Sequence, residues 1–206
     1  MQTKIYECIS RIGDVIIANK DFLTDLDREI GDADHGINMA RGFTEVLAAV
    51  PKDNENIGEV LKKTGMTLLA KVGGASGPLY GTAYMQAGKV CAGKTALAPE
   101  DGKAIFEAVI AGIQKRGKAV RGEKTMLDAI IPASEAYAAA VDSGASVGEA
   151  LDAMCKAAED GVEFTKTIAA TKGRASYLGE RSIGHQDPGA TSATYTMEAI
   201  RDYLKG

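Results

Sequence analysis

Apolar residues in this chain recur at helical spacing, and the strict polar–apolar alternation of a half-buried strand is missing throughout. Ile5, Cys8, Ile12, Val15 and Ile16 form one stripe. A second helix begins near His35 and carries Val46, Leu47 and Val50, and a third carries Val60, Leu61, Leu68 and Leu69. Further helices are predicted over about 78–91, 100–120, 124–141, 147–167 and 188–204. No long polar linker divides the 206 residues. The expected fold is therefore a single all-α domain (1–206), an eight-helix antiparallel barrel or bundle.

The connections alternate between two kinds. PKDNEN, AGKTALAPED and DSGAS are short or bland, whereas DREIGDADHG, KVGGASGP, RGEK and TKGRASYLGERSIGHQDPGA are rich in glycine and charge. If consecutive helices run antiparallel, every rich connection lies at the same end. Helix amino termini there present free N–H groups and a partial positive charge, so that end is expected to form one glycine-lined anion site.

Composition narrows what the site can serve. A 45% hydrophobic and 25% charged chain has the makings of an ordinary globular core. The net charge of −4 and the lack of Trp give a nucleic acid neither a basic surface nor stacking platforms, so no such partner is expected. No apolar run is long enough for a membrane span. Cys8, Cys91 and Cys155 are widely separated with no CxxC spacing and read as reduced core thiols of a cytoplasmic protein.

Within the first rich connection, Asp27, Asp32 and Asp34 are bent around Gly31 and can converge on hard cations as a continuous helix would not allow. Carboxylates with phosphate oxygens and water are the usual ligands of Mg²⁺. The competing reading makes Asp34 a helix cap and Asp27 a solvated charge. In Gly73-Gly74-Ala75-Ser76-Gly77-Pro78, missing Cβ atoms let backbone amides approach a ligand, and Ser76 can cap the next helix. Asp187-Pro188-Gly189 is another cap-and-proline helix start. Upstream of it, Arg174 and Arg181 occupy a loop long enough to suggest function, where an arginine can neutralise a phosphoryl group or make a surface ion pair. His35 and His185, the only histidines, both sit in rich connections and suit either a ligand contact or a structural hydrogen bond.

Residues 88–95, GKVCAGKT, match the P-loop pattern letter for letter. A P-loop follows a β-strand, and the preceding segment here is helical, with Tyr80, Tyr84, Ala87 and Cys91 on one stripe. The match also falls at the bland end, so it is expected to be a plain turn.

Taken together, GDADHG, GGASGPLYG, KTM and GRASYLGERSIGHQDPGA resemble the nucleotide-binding L subunit of dihydroxyacetone kinases, over a span from Asp27 to Ser192. The resemblance implies an eight-helix barrel holding ADP or ATP with two Mg²⁺ at one end. By motif, Asp27, Asp32 and Asp34 would be the metal ligands, and His35, Gly36 and Asn38 would border the nucleotide. Ser76 and Gly77 would face phosphate oxygens, while Gly117 and Met126 would enclose the nucleoside. Arg174 would reach a phosphate and act in catalysis, and Asp187, Pro188 and Gly189 would complete the pocket. Glu123 departs from the family's usual GDKT but keeps the charge.

The resemblance also implies partners. A K subunit would carry dihydroxyacetone covalently on its own histidine, so this chain would need no nucleophile or general base. An M subunit of the phosphoenolpyruvate phosphotransferase system would recharge ADP held as a coenzyme. With no K domain in the chain, this three-part form is expected over an ATP-consuming one. Three alternatives stay open: turnover of free ATP, a nucleotide sensor docking on a transcription regulator, and a kinase subunit for another ketose or a carried fatty acid. A homodimer is left open too.

Overall fold

The stripe begun at Ile5 buries Ile9, Ile12 and Ile16 along α1 (Ile5–Ala18), and the same logic builds the rest of the chain. In a computed structural model that describes residues 4–206, the helices that follow are α2 (Lys20–Ile30), α3 (His35–Ala49), α4 (Ile57–Lys71) and α5 (Ser76–Val90). Then come α6 (Pro99–Gly117), α7 (Leu127–Asp142), α8 (Val147–Thr165), a 3₁₀ segment at Arg174–Ser182, and α9 (Pro188–Lys205). No strand occurs among the described residues. Residues 1–3 of the expected 1–206 domain lie outside them.

Eight of these helices form a closed ring. From α3 to α9 each packs on the next, α9 packs on α1, and α1 packs on α3. The extra helix is α2, which corrects the expected count of eight. It follows α1 after Asn19, whose side-chain amide donates to Val15 O at 2.9 Å, and it packs on α3 and α9. Asp27 consequently lies in the last turn of a helix instead of in a loop. The long final connection is also more ordered than expected, since it contains the 3₁₀ segment.

Packing between α4 and α5 is close enough to need glycine. A Cβ on Gly65 would stand 2.7 Å from Gly81 O, and one on Gly88 would stand 2.8 Å from Gly58 O. The barrel interior is filled by Phe43, Met39, Ile57, Leu68, Ile113 and Leu127, all fully buried, each worth about 1.5–3 kcal/mol of apolar burial. Cys8, Cys91 and Cys155 are buried free thiols, and burial pushes Cys8 up to about 12.

The two kinds of connection separate as alternation demands. At the plain end, Asn56 caps α4 through Glu59 N at 3.2 Å, and Ser146 with Glu149 forms a capping box on α8. The P-loop-like segment belongs here: Lys94 pairs with Asp101 at 3.1 Å, and its carbonyl accepts Ile57 N at 2.9 Å. It is a turn joining α5 to α6. Among the described residues, no helix is long and apolar enough to cross a membrane.

Candidate functional site

All four rich connections meet around one cavity of about 910 Å³, a size suited to a small-molecule ligand. Its wall contains Asp27, Asp32 and Asp34 from the first connection, Ser76 from the second, and Gly117 and Met126 from the third. Arg174, Asp187, Pro188 and Gly189 come from the fourth, and His35 lies at the start of α3.

The carboxylates are brought together by a specific local path. Asp27 Oδ2 accepts the backbone N–H of Asp34 at 2.8 Å and of His35 at 3.1 Å, so it holds the start of α3 while leaving Oδ1 free. Gly31 must pass close to that side chain, since a Cβ there would stand 2.0 Å from Asp27 Oδ1. Ala33 then turns the chain with φ at 60°, an uncommon conformation for a residue with a side chain. Asp27, Asp32 and Asp34 thereby each offer an oxygen within 4.8 Å of the others. Three oxygen donors and no sulfur or imidazole form a set suited to hard divalent cations, Mg²⁺ among them. Arg174 reaches the same cluster, its Nε 3.1 Å from Asp32 Oδ2.

Beside the carboxylates, the helix starts differ in an informative way. Asp27 already binds the first amides of α3. Thr125 Oγ1 accepts Leu127 N at 3.2 Å for α7, and Asp187 Oδ2 accepts Ala190 N at 2.7 Å for α9. No N-cap side chain closes α3, α5 or α7, whereas Asp187 caps α9. At α5 the Ser76 amide stands at the cavity wall, and Gly74 turns the chain ahead of it with φ at 63°. An anion seated there would meet unpaired N–H groups at the positive end of the helix dipole.

Behind this seat runs a buried polar chain. His35 Nδ1 lies 3.0 Å from Ser76 Oγ, His35 Nε2 lies 2.9 Å from Ser192 Oγ, and Ser192 Oγ lies 2.6 Å from the Tyr80 hydroxyl. Burial pushes His35 down to about 4, against the pull of Asp34, so the imidazole is neutral at pH 7. A neutral ring has one donor and one acceptor, and Ser76 and Ser192 must therefore take opposite roles. Asp187 is pushed up to about 7, chiefly by burial, while the Ala190 amide opposes the shift.

The depressed His35 value sets a pH dependence. Below about 6.5 the unfolded chain takes up a proton that the folded chain refuses until about pH 4. Stability from this group is complete above pH 6.5 and falls by roughly 3 kcal/mol towards pH 4. Asp187, shifted upward, runs the opposite way. In thermal melts with chelator from pH 7 to 4.5, His35→Gln is expected to lose markedly less melting temperature than the parent. Parallel curves would show that His35 titrates normally.

The chain matches a known family along most of its length: the model of the DAK2 domain covers residues 29–202. The chain belongs to the DAK2 domain family. Full-length relatives include the "PEP-dependent dihydroxyacetone kinase, ADP-binding subunit DhaL" of Escherichia coli K12, 46% identical over 97% of this chain and 95% of that protein. The "PTS-dependent dihydroxyacetone kinase, ADP-binding subunit DhaL" of Lactococcus lactis is 43% identical over 96% of this chain and 95% of its own length. Human "Triokinase/FMN cyclase" is 34% identical, and the match covers 96% of this chain but 34% of the human protein. Among solved structures, the dihydroxyacetone kinase from C. freundii in complex with AMP-PNP and Mg²⁺ shares the fold. Its TM-score is 0.74 at 22% identity, over 96% of this chain and 33% of that one.

Not every residue that the DAK2 motifs point to reaches the cavity wall. Gly36 seats α3 on α2, where a Cβ would stand 2.0 Å from Lys20 O. Gly77 packs on Val72, with 2.2 Å between such an atom and Val72 O. Asn38 stands behind Gly73 and accepts from Arg41 at 2.8 Å. These three shape the wall from behind. His185 lies outside the wall, 3.8 Å from Glu29, and Arg181 is also outside. Conversely, Tyr80, Ile113, Arg116, Lys124 and Lys172 line the cavity without having been singled out by sequence. Tyr80 had a legible place on the α5 stripe, but no residue pattern marked Lys124 as buried.

Proposed function

We propose that this chain is the ADP-holding subunit of a phosphoenolpyruvate-dependent dihydroxyacetone kinase. One observation carries the reading: a triad of carboxylates with an arginine upon it stands beside the uncapped start of α5, within a cavity of about 910 Å³. The printed names of full-length relatives at 43–46% identity support it.

In this reading Asp27, Asp32 and Asp34 hold Mg²⁺, which when bound would neutralise polyphosphate charge and orient it. The amide at Ser76 receives a phosphate oxygen, and Met126 and Gly117 flank the nucleoside. Arg174 is released from Asp32 to the phosphoryl group in flight, an exchange made cheap by the exposure of that ion pair. The chain supplies positioning and charge neutralisation, and dihydroxyacetone is presented by a K subunit. An M subunit of the phosphotransferase system returns the phosphoryl group to ADP.

The test is the state of the nucleotide. Purified protein is expected to carry about one ADP per chain through gel filtration, and chelation should lower its melting temperature sharply. With K and M subunits and the phosphotransferase proteins, phosphoenolpyruvate should sustain turnover without added ATP. A chain that purifies empty and consumes ATP stoichiometrically would replace this reading by the ATP-dependent one. A chain that binds nucleotide but supports no transfer with either donor would leave a sensor.

A further inference from the structure

We infer that Lys124 is a positioning residue, a buried clamp that sets where Arg174 and Asp187 stand relative to the nucleoside side of the cavity. Lys124 is 1% exposed, yet among the described residues its side chain is held by carbonyls and not by a carboxylate. Its ammonium instead donates to three main-chain carbonyls: Thr165 O at 2.6 Å, Ser182 O at 2.7 Å and Ile168 O at 3.3 Å. Thr165 ends α8, so a cation there meets carbonyls left without helical partners at the negative end of the dipole. Ser182 ends the 3₁₀ segment that begins with Arg174.

The same residues tie in Asp187. The Thr165 hydroxyl accepts Asp187 N at 3.0 Å, and Ser182 Oγ accepts Ala170 N at 2.8 Å. Glu123 reinforces the join, with Oε2 accepting Val120 N at 2.8 Å and Oε1 accepting the Thr171 hydroxyl at 3.2 Å. The connection between α6 and α7, which carries Met126, is thus fastened to the connection that carries Arg174. The backbone is bent to achieve it, with φ at 60° for Lys124.

A purely stabilising role explains this arrangement poorly. A buried ammonium is costly, and an apolar side chain would fill the same space without that cost. What an ammonium adds is a directional tie among three segments, and those segments carry the two sides of one cavity.

The inference for catalysis rests on the kinase reading, so the test has an arm that needs no substrate. Amide hydrogen exchange is compared between the parent and Lys124→Met, with Lys124→Gln as a second variant that keeps two donors if the first does not fold. Exchange across residues 166–186 is expected to rise at least about tenfold while α4 and α5 stay as protected as in the parent. In single-turnover transfer, Lys124→Met should be slowed, and the Lys124→Met/Arg174→Ala double variant should be no slower than the slower single variant, within about twofold. A variant that melts lower overall but keeps the protection of residues 166–186 would make Lys124 a stabiliser only and overturn the clamp. Multiplying kinetic effects in the double variant would overturn its action through Arg174. If the parent transfers nothing, the kinase reading fails alone, and the exchange result still decides the clamp.

Discussion

Asp34→Ala is expected to lower phosphoryl transfer by at least about a thousandfold and to strip the protein of nucleotide, while the helical fold survives. Loss of one ligand from a three-carboxylate cluster leaves phosphate charge uncompensated in a confined space, where electrostatics are weakly screened. The fold should tolerate the change because the Asp34 side chain caps nothing: the opening amides of α3 are held by Asp27 instead. Asp32→Ala should behave alike, since Asp32 is exposed and gives up only a surface ion pair. Asp27→Ala is a less clean probe, because it also orphans two backbone N–H groups. The measurement is nucleotide content after gel filtration, with far-ultraviolet circular dichroism as the control for folding. Full nucleotide retention in both Asp32→Ala and Asp34→Ala would sink the metal assignment.

Arg174→Ala should separate chemistry from binding. Its partner in the structure is Asp32, and both side chains are largely exposed, so the pair contributes no more than about 1 kcal/mol to the resting state. Nucleotide retention should change little. Transfer, by contrast, is expected to fall by about a hundred- to a thousandfold, because an arginine counts most where phosphoryl charge is developing. Single-turnover rates with preloaded ATP isolate that step, and Arg174→Lys should recover part of it, losing the planar fork but keeping the charge. Equal losses in retention and rate would mean that Arg174 only holds the ground state.

Much of this arrangement could be read from residues alone, and what escaped has physical causes. The ring of helices followed from apolar spacing, and the single working end followed from alternating connections. What hid α2 was the site itself. Its inward face is Leu23, Asp27 and Ile30, a helical stripe whose middle position holds an acid instead of an apolar residue. A pattern search reads that acid as the start of a loop. The 3₁₀ segment was hidden for a related reason, since only Ala175 and Ser182 in it are buried and Gly179 breaks its course with φ at 55°. Lys124 was beyond reach because lysine is nearly always exposed, and only three converging carbonyls show otherwise. The uncapped start of α5 was equally invisible: Ser76 looked like its cap, but its hydroxyl is turned to His35.

The capped, exposed connections at residues 51–56 and 143–146 have a practical consequence. They form a face on which the molecule can be gripped. Surface turns far from a cavity are where inserted chain is best tolerated, so an affinity handle, fluorescent reporter or immobilising tether belongs there. A molecule anchored by that face would hold its opposite pole outward, open to nucleotide and to any docking protein at once.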